Sequence, residues 1–181
     1  HIRSQLDSEY VLDDARVFSD ALGFEKAPGE AATANVVLTL QDGDPVSLPT
    51  IRVVGDGIAV AGAAEFADAS GSLARANFSR IALAGNDLRK VAFAQSDDAV
   101  AVKIGGGVLD LSTILQSDED SPPDGKPPVF EPDLPFALSY AAALESINLG
   151  AGQGFQNATV SVVLDGSHWL QCELNAFTSA E

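Results

Sequence analysis

Residues 77–111, NFSRIALAGNDLRKVAFAQSDDAVAVKIGGGVLDL, carry two periods at once. Large apolar residues recur every fifth position, at Phe78, Leu83, Leu88 and Phe93. The same run also divides into short alternating stretches, RIALAG, LRKVAFAQ, AVAVKIG and VLDLSTI, parted by Asn86-Asp87, Ser96-Asp97-Asp98 and Gly105-Gly106-Gly107. Val91 and Phe93 alternate with Lys90 and Ala92, and Val100, Val102 and Ile104 with Ala101 and Lys103. An apolar face backed by a mixed one is what a half-buried antiparallel sheet requires. Turn residues at strand-like intervals predict a meander, with the three glycines as one of its turns.

The five-residue period has its own implication. Leu73, Phe78, Leu83, Leu88 and Phe93 fit a central position, Ala76 and Val91 a small-residue position two places earlier, and Asn77 and Asp87 a polar one. This pattern resembles the pentapeptide-repeat family. The resemblance implies a right-handed, four-sided β-helix, and some acidic members of that family mimic DNA. The period spans about 25 of the 181 residues and then meets Asp98 and Lys103, which would point into the core. One coil has no stacked neighbours to bury its interior, so the meander is the expected fold.

Outward from this segment, TIRVVGDGIAVAG predicts a hairpin with Asp56-Gly57 as a two-residue turn, pairing Val53 with Val60 and Ile51 with Gly62. Towards the N-terminus, SEYVLDDARVFSDALG (8–23) places Val11, Leu12, Ala15, Phe18 and Leu22 at helical spacing, with Ser8 as cap and Gly23 as stop. Residues 116–135 hold six of the nine prolines among many acids and predict an extended connector. PFALSYAAALESINLG (135–150) predicts a second helix, with a buried stripe of Phe136, Tyr140, Leu144 and Ile147. NATVSVVLDGSHWLQCELNAF closes the chain as a hairpin. A three-residue loop Asp165-Gly166-Ser167 would pair Val160 with Cys172 and Val162 with Leu170, leaving Trp169 beside Val163 on the polar face.

The expected class is therefore mainly β (α+β). An antiparallel meander forms a sandwich or roll, joined by an N-terminal helix, a second helix near 135–149 and a C-terminal hairpin. In domain terms this is a helical segment over 1–24, a β domain over 25–116, a connector over 117–135, and a helix plus hairpin over 136–181 packed on the same domain.

Twenty-six acids against ten bases give a formal charge of −16, which offers no footprint for nucleic acid or anionic membranes. No apolar run is long enough to insert in a bilayer as a helix. The chain has no methionine, and His1 fits a processed end or a fragment. The two histidines, His1 and His168, and the one cysteine exclude a structural zinc site. Cys172, on the apolar face of its strand, is expected to behave as a small buried hydrophobe. Asp120, Asp124, Gly125 and Glu131 echo a calcium loop, which Pro122 and Pro127 interrupt.

No cluster of titratable groups, nucleophile motif or phosphate loop stands out, so the reading is of a protein with neither catalytic residues nor cofactor. The expectation is a structural subunit of a phage-like virion or surface assembly, bound to other subunits through helix and connector. A secreted carbohydrate- or ligand-binding module is the alternative. There Trp169 and the adjoining His168 would make the contact surface. The acidic DNA mimic that the pentapeptide-repeat resemblance implies is a further alternative.

Overall fold

The computed structural model describes residues 2–19, 24–112 and 134–178, and in them the chain is built from strands. They are β1 (Arg3–Val11), β2 (Val17–Ser19), β3 (Phe24–Lys26), β4 (Ala32–Gln41), β5 (Asp44–Gly55), β6 (Ile58–Phe66), β7 (Leu73–Leu83), β8 (Asn86–Gln95), β9 (Ala99–Asp110), β10 (Ala137–Gly150), β11 (Gln153–Asp165) and β12 (His168–Thr178). Ten form one sheet in the order β1-β4-β5-β6-β7-β8-β9-β10-β11-β12, and β2 and β3 form a separate ribbon. Every neighbouring pair in the sheet is antiparallel except β9 and β10, which are parallel. The connector predicted at 117–135 falls mostly within 113–133, outside the described residues.

Hairpin chemistry accounts for much of this order. Asp42-Gly43, Ala84-Gly85 and Ala151-Gly152 each put two successive residues at positive φ, in the turn whose twist suits adjoining strands. The Asp56-Gly57 hairpin has the expected register, with Val53 opposite Val60 and Ile51 opposite Gly62. The turn expected at Asn86-Asp87 lies two residues earlier, because Leu83 pairs with Asn86.

Three expectations are corrected. The helix at 8–23 is not found: its described part is the end of β1, which pairs along its length with β4, and then β2. The helix at 135–149 is the longest strand, β10, held by ladders on both sides. Gly105-Gly106-Gly107 is no turn, because β9 runs straight through it.

One irregularity explains the last two corrections. Ser79, Lys90, Gly105, Glu145 and Asn157 are skipped by the ladders on β7 to β11. Lys90 and Asn157 sit there at φ 52° and 50°. The line of skipped residues turns each strand over by one position. Residues three apart, such as Leu88 and Val91 or Leu144 and Ile147, then reach one face, where Leu88, Leu144 and Ile147 share a buried cluster and Val91 packs against it. On β10 this converts a period of two into the apparent helical spacing of Tyr140, Leu144 and Ile147.

Gly107 is demanded by the same bend. It lies at φ 109°, and a β-carbon there would fall 1.9 Å from the Asp87 carbonyl oxygen.

The β2–β3 ribbon is held by a buried cation. Lys26 is 1% exposed, and its Nζ donates to the carbonyls of Asp13 (3.2 Å), Ala15 (3.0 Å) and Ala27 (3.1 Å). Three acceptors replace the ammonium's hydration, as burial of a charge requires. Asp13 also accepts from the Ala32 amide at 3.0 Å, tying the ribbon to the start of β4.

Candidate functional site

The register sorts side chains into two unlike faces. One row crosses all ten strands: Ser8, Val36, Ile51, Gly62, Phe78, then Val91, Ile104, Ala142, Val160 and Leu174. Its only polar side chain is Ser8, at the edge. Neighbouring rows repeat the pattern, with Ala34, Val53, Val60, Ile81 and Leu88 on one side and Ala76, Phe93, Val102, Tyr140 and Val162 on the other. At about 4.8 Å per strand, such a row is about 43 Å long.

This aliphatic face is only partly buried. Ile104 and Ala142 are buried, whereas Val36, Ile51, Phe78, Val91 and Val160 remain partly open to solvent. Among the described residues there is no helix, and the only element outside the sheet is the small β2–β3 ribbon. No second layer of strands or helices is laid over the face among the described residues. Burial raises the pKa of the Tyr140 phenol, consistent with its place in the middle.

The sheet also ends in two open edges. β1 and β12 stand at either end of the strand order and take no further strand among the described residues. Leu6 and Tyr10 on β1 are exposed, as are Leu170, Leu174 and Phe177 on β12. β1 carries Arg3, Asp7 and Glu9, the charges that commonly discourage edge pairing, whereas β12 carries Glu173 alone.

The opposite face is polar. One of its rows reads Glu9, Asn35, Arg52, Ala61, Arg80 and Arg89. Arg80 pairs with Asp87 at 2.7 Å, and Arg89 with Glu145 at 3.0 Å. At the β9–β10 seam, Asp110 accepts from Ser112 and from Asn148 Nδ2 (3.0 Å), while its own amide donates to the buried Asn86 side chain at 2.8 Å. These donors, Ser112 first, hold the Asp110 carboxyl below the usual range.

The residues singled out from sequence lie at the β12 end. His168 opens β12 opposite Asp165 and is exposed. Trp169 is 47% exposed, but it does not sit beside Val163 on the polar face. The loop has two residues, Gly166-Ser167, and a bulge sets Trp169 opposite Leu164. The remaining partners move by two positions, Val160 to Leu174 and Val162 to Cys172, so the apolar residues still gather on one face. Cys172 is on that face as expected but exposed, β12 being an edge strand among the described residues.

No group of three or more His, Cys, Asp or Glu side chains could hold a metal among the described residues. His1 and the calcium-like loop around Asp120 and Asp124 lie outside them. No helix of the described residues is long and apolar enough to cross a membrane. Comparison with protein-family models, with curated proteins and with solved structures finds no match.

Sequence reasoning missed the continuity of the aliphatic face. The signal was present in the repeated three-residue step at Phe78–Ile81, Leu88–Val91 and Leu144–Ile147.

Proposed function

We propose that this chain is a non-enzymatic binding scaffold whose aliphatic sheet face receives hydrocarbon chains. The row from Val36 to Leu174 carries the reading: it crosses nine strands without a hydrogen-bonding side chain. An apolar surface of this extent, left partly open, is expensive in water and marks a place where something apolar binds. With hydrogen-bonding groups confined to a few side chains such as Tyr140 and Trp169, the face favours a ligand that is itself mostly hydrocarbon, such as a lipid acyl chain.

Titration of the purified protein with a fluorescent fatty acid tests this. Saturable binding is expected, at least tenfold weaker in Val53→Gln and Val91→Gln and unchanged in the polar-face variant Ala61→Gln. Absence of saturable binding would exclude the reading.

The open edges favour a second reading, the subunit of an assembly, as in a virion or a surface array. Exposed backbone donors and acceptors on β12, flanked by Leu170, Leu174 and Phe177, suit pairing with another strand. Mass measurement in solution distinguishes the two. Assembly requires oligomers that Leu174→Lys disperses, whereas hydrocarbon binding leaves a monomer loaded with ligand.

A further inference from the structure

We infer that the polar face carries an anion-recognition site for a phosphate-bearing ligand, in the depression over β5 to β8. The depression has a volume of about 720 Å³ and is lined by Thr50, Arg52, Asn77, Ser79 and Lys90 over a floor that includes Ala61 and Ala63. Its lining also includes Ile51, Gly62, Phe78 and Val91, which belong to the aliphatic row. Arg52, Thr50, Asn77 and Lys90 supply the donors on this lining, whereas the Ser79 hydroxyl donates to the Ala61 carbonyl.

Charge singles out this place. The chain carries −16 overall, yet six of its ten bases (Arg52, Arg75, Arg80, Arg89, Lys90 and Lys103) fall on β5 to β9. Arg80 and Arg89 are engaged by Asp87 and Glu145. Arg52 and Lys90, the two bases on the depression, have no ion-pair partner among the described residues. Elsewhere on so acidic a chain carboxylates are plentiful, so two uncompensated cations on one hollow form a local positive field that a polyvalent anion would complete.

The backbone reinforces the assignment. Lys90 is held at φ 52°, a conformation that costs a non-glycine residue about 1 kcal/mol or more. Its stem lies against Gly105, where an added β-carbon would come within 3.0 Å of Lys90 Cβ and 3.3 Å of Cδ. The bend and the missing side chain let the lysine stem lie beside β9 at the margin of the depression.

A guanidinium on one side supplies a planar pair of donors, and the lysine supplies a point charge on the other. With the Asn77 amide and the Thr50 hydroxyl on the same lining, the set suits a phosphate with several oxygens better than a single carboxylate.

Calorimetry of the intact chain with pyrophosphate tests the site, with acetate as comparison and Arg75→Ala as control, since Arg75 does not line the depression. Sub-millimolar pyrophosphate binding is expected, weakened at least tenfold by Arg52→Ala and by Lys90→Gln, unchanged by Arg75→Ala and absent with acetate. Lys90→Gly relieves the backbone and still removes the charge, so it separates lost binding from lost folding. No pyrophosphate binding in the intact chain, an equal loss in Arg75→Ala, or acetate binding as well as pyrophosphate would each overturn the assignment.

Discussion

Lys90 on β8 and Gly105 on β9 face each other where the ladder between their strands skips a pair, and the glycine's bare α-carbon is what lets the lysine stem pass. Replacing Lys90 with glycine removes an unfavourable left-handed residue, partly offset by greater freedom in the unfolded chain. Urea denaturation is expected to show Lys90→Gly as stable as the parent or more so, by up to about 1 kcal/mol. Gly105→Val should be destabilising by about 1–3 kcal/mol through crowding of that stem.

Two adjacent glycines should behave differently. At Gly107 a new β-carbon would strike the Asp87 carbonyl at 1.9 Å, and the residue lies at φ 109°. At Gly106 the nearest atom would be Arg89 Cβ at 4.0 Å, an ordinary contact. Gly107→Ala should cost about 3 kcal/mol or more, and Gly106→Ala within about 0.5 kcal/mol of nothing. Equal thermal midpoints for the two variants would contradict the bend at β9.

Lys26→Met removes a cation that satisfies three carbonyls. The side chain keeps its length, but the acceptors lose their donors, at an expected cost of about 2–4 kcal/mol. The loss should be local. Hydrogen exchange is expected to accelerate in the β2–β3 ribbon and at the start of β4, leaving β7 to β9 protected.

Asp110 sets an acid-side dependence. Its folded pKa lies below the ordinary carboxylate value, so it contributes stability above about pH 4, and that contribution is lost as pH falls through the folded value. Asp87, lowered chiefly by its hydrogen bond from Arg80, has the same sign. Asp110→Asn should flatten part of the fall in stability between about pH 5 and pH 2, read from denaturation midpoints, without abolishing it.

The Asp56-Gly57 turn was legible, because a two-residue turn leaves one alternation that keeps Ile51, Val53 and Val60 together, whereas the turns expected at Asn86-Asp87 and Asp165-Gly166-Ser167 are displaced. β10 was not legible, because Tyr140, Leu144 and Ile147 satisfy a helical period as well as a bulged strand, and only the flanking ladders of β9 and β11 decide between them. The five-residue period at Phe78, Leu83, Leu88 and Phe93 has the same origin. The bends at Ser79 and Lys90 and the turn at Ala84-Gly85 bring these residues to one face without a coil. Trp169 was placed on the wrong face because the bulge opposite Leu164 leaves no mark in composition. Arg52 and Lys90 lie 38 positions apart, so their sharing of one hollow depends on pairings across β6 and β7.

The parallel seam between β9 and β10 divides the molecule kinetically. Every other junction in β4 to β9 and in β10 to β12 is a hairpin between consecutive strands, which closes within microseconds to milliseconds once nucleated. The seam instead joins Ala99–Asp110 to Ala137–Asn148 across a long stretch of intervening chain, so its loop-closure entropy is paid before any contact rewards it. Two hairpin arrays should therefore mature separately and zip together last. A single proteolytic cut between residues 112 and 134 would leave two fragments that can still be held together by that ladder.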